Sequence, residues 1–311
     1  MIMKNKLTDI LIVLLILAGI SVIAYPTVSD WLSKRQNQES LTRMEAAISQ
    51  LDPEMVEDMF QKARAYNELH TGHGIRDAFS GEVIHADQEY MNLLNLNGDG
   101  IMGSVEIPKI HVNLPIYHTT NSDVLEKGAG HVEGTSLPVG GETSHCAISG
   151  HRGLPSARMF TDLDQMVLGD TFLIRVLDRV MTYRVDQIVV VEPNETYWLD
   201  LEEGKDLVTL VTCTPYGVNT HRLLVRGIRI PDTMEDTQTD GTKTVAMQSP
   251  LADLGSGARI EQILMIVAPV ALGLLIVIYV VTIVGESRRR RRRANGEDPD
   301  DDDDEYEDED D

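Results

Sequence analysis

The chain has 311 residues and 42% hydrophobic content, enough for a full core and one or two folded units. Its formal charge is −23, but 13 acidic residues fall in 297–311 and six arginines fill 288–293; with both set aside the rest still carries −16. No basic face is evident outside the arginine run, which argues against a nucleic-acid partner, and two cysteines are too few for a small disulfide-built scaffold.

The first apolar run, "ILIVLLILAGISVIAY" at 10–25, follows Lys4 and Lys6 and extends toward Val28, long enough to cross a membrane. A signal peptide is the competing reading, but the following "YPTVSDWL" has no small-x-small cleavage site, so 1–28 is expected to be a cytoplasmic start and an uncleaved anchor. Two helices are then predicted within 29–72, "DWLSKRQNQESLTRMEAAISQL" and "DPEMVEDMFQKARAYNELH". The second has Asp52 as N-cap and Pro53 at the first helical position, where its missing N–H costs nothing.

Beyond residue 100 the pattern changes to β-branched residues alternating with polar ones. Strands are predicted at 104–107, 114–118, 144–149, 171–176, 181–191, 207–212 and 223–230, with one helix among them, "SARMFTDLDQM" at 156–166. Seven or eight short strands predict a mainly β fold, a closed or nearly closed barrel, with sites at strand ends. Residues 231–262 read as a flexible linker. Residues 263–284, 22 apolar positions followed by the arginine run, read as a second transmembrane helix, with 285–311 as a cytoplasmic, solvated tail. Both termini are then cytoplasmic and the middle of the chain is outside. A disulfide between Cys146 and Cys213 stays open at this point; an unpaired thiol in that compartment needs a chemical reason.

"NLNGDGIMGSVE" at 95–106 has the spacing of a calcium-binding EF-hand loop, but "SVEIPKI" after it is a strand with a proline rather than a helix, so a glycine-rich turn is expected. No histidine pair comes with two further ligands at metal spacing, and no metal is expected. Three strand ends carry a different set: Cys213 closes "TLVTC", His151 stands in "AISGHRGLP", and Arg222 opens "RLLVRG". A thiol, an imidazole and a fixed cation suffice for acyl transfer. A buried cysteine with a surface histidine and a solvated arginine fits the spacing equally well.

"TLVTC" with an arginine nine residues on, "SGHRGLP", "GAGHVEGTSLPVGG" and "GIMGSVEIPKI" resemble the class C, pilin-polymerising sortases of Gram-positive bacteria. The resemblance implies an eight-stranded sortase-type β-barrel over 100–230, flanked by the two transmembrane helices and preceded by the N-terminal helices and a lid loop within 73–99. It implies Cys213 as nucleophile, His151 as general acid and base, and Arg222 as substrate and oxyanion contact, with no cofactor. The implied partners are the membrane and pilin subunits with an LPxTG-like sorting signal and an acceptor lysine. A cell-wall-anchoring sortase and a non-catalytic pilin-binding scaffold are the alternatives. "RDAFSG" stands where the family's lid motif lies, with Asp77 expected to pair with Arg222 and Phe79 to lie over Cys213; Ala78 replaces the family's usual proline and implies a more mobile lid.

Overall fold

The computed structural model describes residues 2–72, 74–231 and 285. The predicted second span at 263–284, and the linker and tail beside it apart from Pro231 and Gly285, lie outside the described residues. The chain divides into two compact units, Ser29–Thr242 and a second composed of Met1–Val28 with Lys243–Asp311.

The predicted anchor and the helix after it form one helix, α1 (Ile2–Ile48), with Pro26 inside it. A proline removes one backbone donor, and the helix-forming "SKRQNQESLTRMEAA" that follows carries the ladder on. Residues 12–48 are long and apolar enough to cross a membrane by length and composition. Leu14, Leu15, Val22 and Ile23 on this helix are exposed. In the larger unit, Leu41 and Met44 of α1 pack against Ile101.

Helix α2 (Pro53–His70) buries Val56, Phe60, Ala63 and Tyr66, spaced as one helical face requires. Asp52 occupies the N-cap position with extended backbone, but its side chain makes no capping hydrogen bond, unlike the expectation. Asn67 fastens α2 to the barrel: its Oδ1 accepts from Leu137 N at 2.7 Å and its Nδ2 donates to Leu137 O at 3.2 Å.

Eight strands follow: β1 (Ile101–Ile107), β2 (Val112–Tyr117), β3 (Ala129–His131), β4 (Ser144–Ser149), β5 (Thr171–Val176), β6 (Arg179–Val191), β7 (Asp206–Thr214) and β8 (His221–Arg229). They close into a barrel in the order β1-β2-β3-β4-β7-β8-β6-β5. The β2–β3 and β4–β7 pairs are parallel and the others antiparallel. β4 is buried at all six positions, so its polar residues need internal partners. His145 has them: its Nε2 lies 2.7 Å from Thr209 Oγ1 and its Nδ1 2.8 Å from Asp200 O.

The 95–100 segment is a turn held by its own side chains, Asn95 Oδ1 accepting from Gly100 N at 3.0 Å and Asp99 Oδ1 from Ile101 N at 3.2 Å. Glu106, which matched the last EF-hand position, sits in β1 and bonds Arg175. The helix predicted at 156–166 is absent apart from one 3-10 turn, Leu163–Gln165. Met159 has a positive φ of 39°, and the segment forms separate turns, such as Thr161 N to Arg158 O at 2.7 Å, while Phe160 N donates back to the chain after β4, to His151 O at 3.1 Å. Those contacts outcompete an apolar pattern that by itself suits a helix.

Candidate active site

The non-local pairing of three strands gathers the predicted residues. Cys213 and Arg222 stand directly opposite each other in the antiparallel β7–β8 pair. β4 and β7 run parallel, with Ser149 opposite Val211, so two further residues along each chain bring His151 to the level of Cys213. The chain stays bound to β7 up to the histidine: Gly150 N donates to Val211 O at 3.1 Å, and Thr212 Oγ1 donates to Gly150 O at 2.7 Å. Residue 150 must be glycine, because a Cβ there would come within 2.8 Å of the Phe160 ring. Cys213 is 6% exposed.

The 74–81 segment closes over this end. A turn, with Ser80 N donating to Asp77 O at 3.2 Å, presents the Asp77 carboxylate and the Phe79 ring to the same side. Asp77 accepts two hydrogen bonds from Arg222, Nε to Oδ1 and Nη2 to Oδ2, both at 2.7 Å. This parallel fork is the strongest geometry open to a guanidinium and a carboxylate. Arg222 Nη1 donates to the carbonyls of Asn219 and His221, each at 3.0 Å. The Phe79 ring lies 5.6 Å from the His151 ring, and the Arg222 guanidinium carbon is 5.3 Å from the Phe79 centroid. Phe79, expected over Cys213, thus contacts the thiol's two neighbours.

Ala78, expected to loosen the segment, is 8% exposed and packs with Val132, Ala147, Leu199, Val211 and Leu224. A small cavity of about 30 Å³ remains there, lined by Asp77, Ala78, Val132, Leu199, Val211 and Arg222 among others. Leu199 lines this cavity and its neighbour Trp198 packs against the same apolar cluster; neither stands out in the sequence. The apolar "YWL" in an otherwise polar connection was the available signal.

Burial raises the Cys213 thiol's pKa; the nearby Arg222 charge lowers it and the Asp77 charge raises it again. Burial lowers that of His151, with Glu126 opposing weakly. For both groups burial, which disfavours the charged form, is the leading cause.

Both cysteines are free, so the open disulfide reading is settled against a bridge. Cys146 lies in β4 opposite Val208, five positions along β7 from Cys213, and burial pushes its thiol well up. Cys146→Ala is expected to keep turnover within about twofold of the parent while costing about 1–2 kcal/mol of stability for the lost packing. Activity assays beside thermal unfolding check it, and loss of turnover in a folded protein would contradict the expectation.

The barrel thus brings a buried thiol, an imidazole and a guanidinium together at one end, and comparison with known proteins identifies the class as that of the cysteine transpeptidases. The sortase-domain family profile matches residues 105–230. Sortase C of Streptococcus pneumoniae, described in terms of catalysis and pilin substrate specificity, is 46% identical, with a TM-score of 0.58 over 62% of this chain and 97% of that one. The pilus-related sortase C of group B Streptococcus is 38% identical, with a TM-score of 0.57 over 61% and 96% of the two chains. Sortase D of Bacillus subtilis is 30% identical over 41% of this chain, a match that spans 63% of that protein's length. The chain belongs to the sortase family.

Proposed function

We propose that this protein is a membrane-anchored class C sortase that polymerises pilins, with Cys213, His151 and Arg222 as its catalytic residues and the Asp77–Phe79 turn as a lid over them. The observation that carries the reading is the convergence of three strand ends on one barrel mouth, closed by a carboxylate forked onto Arg222. The likeness to pilus-related sortase C enzymes supports the pilin substrate. The apolar part of α1 supports an anchor over 1–28, and the composition of 263–284 supports a second span, with the barrel outside and both termini cytoplasmic.

In the proposed cycle the lid moves off and the sorting signal enters, its backbone meeting Arg222 where Asp77 had been. His151 takes the Cys213 proton as the sulfur attacks the Thr carbonyl carbon of an LPxTG-like signal, and the negative oxygen that forms is held by Arg222. Collapse breaks the Thr–Gly bond, and the imidazolium returns the proton to the departing glycine amine, leaving a thioester on Cys213. A lysine amine of another pilin then attacks the thioester, giving its proton to His151; the sulfur leaves and is reprotonated, and an isopeptide bond remains. No step requires a cofactor.

The test is incubation of the full-length protein in detergent with candidate pilins, followed by mass spectrometry of the crosslink and of Cys213. An acyl group on Cys213 and a Thr–Lys isopeptide between pilins are expected. Transfer only to a cell-wall amine would replace the polymerase reading with an anchoring one, and bound pilin without any acyl adduct would point to a scaffold.

A further inference from the structure

We infer that Arg152 is a positioning residue, whose guanidinium ties the chain just after His151 to the strand end just after Cys213 and so sets the spacing of the reacting pair. The inference rests on the reading of His151 and Cys213 as that pair.

The side chain of Arg152 is 8% exposed, unusual for an arginine beside a cleft, and all three of its nitrogens are engaged. Nη1 donates to Thr214 Oγ1 at 3.1 Å, Nε to the Thr161 carbonyl at 3.2 Å, and Nη2 to the Asp164 carboxylate. One anchor is therefore the residue that follows the nucleophile, and the other two lie on the returning limb of the loop that carries the histidine. The same limb holds that loop through the backbone, by Phe160 N to His151 O at 3.1 Å and Gly153 N to Thr161 Oγ1 at 3.3 Å.

Strand alternation gives these contacts their meaning. Thr212 and Thr214 point to one face of β7 and Cys213 to the other. Thr212 Oγ1 bonds the Gly150 carbonyl and Thr214 Oγ1 bonds Arg152, so the residues before and after His151 are each fastened to β7 by a threonine that flanks Cys213. Two clamps, one on each side of the histidine and both on the face away from the sulfur, fix the backbone at His151 relative to the strand that carries Cys213. The charges that move the Cys213 thiol are those of Arg222 and Asp77, and Asp164 neutralises Arg152, so Arg152 acts through geometry. The planar fork is what reaches three acceptors in three directions; a lysine would keep the charge and lose it.

The test is steady-state kinetics of the full-length protein in detergent with a sorting-signal peptide and an amine acceptor. Arg152→Lys is expected to lower kcat about 10- to 100-fold with KM within about twofold, because a misplacement near 1 Å costs about that much at a reacting pair. Thr214→Val, which keeps the side-chain shape and removes the hydroxyl, is expected to lower kcat about 3- to 10-fold with KM again unmoved. The double variant is expected to be no worse than Arg152→Lys alone, since both changes break one contact. An unchanged kcat in either single variant, a KM rise parallel to the kcat loss, or multiplicative effects in the double variant would overturn the inference. If Arg152→Lys fails to fold, Thr214→Val decides alone. Parental turnover by Cys213→Ala would remove the catalytic reading beneath the inference; an inactive Cys213→Ala beside fully active Arg152 and Thr214 variants removes the inference only.

Discussion

Cys213→Ala is expected to abolish acyl-enzyme formation and to lower crosslinking by on the order of 10⁴-fold or more, with the protein still folded. The size follows from the proposed role: without a sulfur there is no covalent intermediate, and neither Arg222 nor His151 provides another nucleophile. Stability should change little, because Cys213 is a small side chain at a strand end whose backbone pairing with Arg222 is untouched. Intact-mass measurement after incubation with a sorting peptide reads the adduct, and gel analysis of pilin ladders reads the turnover. Ladders at even a tenth of the parental rate would sink the assignment of Cys213 as nucleophile.

Asp77→Ala is expected to raise the rate at which a small neutral reagent alkylates Cys213 by about 10- to 100-fold near neutral pH. Two effects act in the same direction. The turn loses both bonds of its fork to Arg222, each a charge-assisted hydrogen bond of about 1.5–3 kcal/mol, so the site opens more often. The thiol also loses a neighbouring negative charge that raises its pKa and keeps the positive one that lowers it. The pH at which alkylation reaches half its maximum should therefore move down, and a shift upward, or none with an unchanged rate, would remove Asp77 as the restraint. The stability cost should fall short of the ~3–5 kcal/mol of a locked buried pair, because the turn can swing away and let water reach Arg222. Phe79 and Ala78 still hold the segment through ring contacts and burial, which limits the gain to partial opening.

Local chemistry was legible where it alone decides the outcome. β4 and β5 run over the residues expected: β5 alternates in burial after Asp170, and β4 is a short, fully buried run that stops at Gly150. β3, three residues long, has no periodicity to read. The 156–166 helix failed because Phe160 and Thr161 bond the chain around His151, and α1 ran through Pro26 because its neighbours sustain the helix. The three strand-end residues were visible as chemistry, yet nothing local said that β4 and β7 are parallel neighbours in matching register. The roles of Asp77 and Phe79 came from family resemblance, since a carboxylate 145 residues from its arginine leaves no mark in spacing. Arg152 stood in the quoted "SGHRG" with no sign that its side chain turns toward Thr214.

The Arg222 guanidinium spends its Nε and Nη2 on Asp77 and its Nη1 on two carbonyls of its own loop. In the proposed cycle a substrate would therefore enter by exchange, replacing a rival that is part of the same molecule. Such a rival has a fixed local concentration, on the order of millimolar for a short tether, which dilution of the enzyme does not reduce. A free peptide in solution would have to outcompete it unaided, whereas, if α1 anchors the protein as proposed, a precursor held in the same membrane would arrive with a comparable local concentration of its own. On the proposed reading, the fork between Asp77 and Arg222 would set a threshold of presentation, favouring pilins delivered beside the enzyme over sorting signals that drift past it.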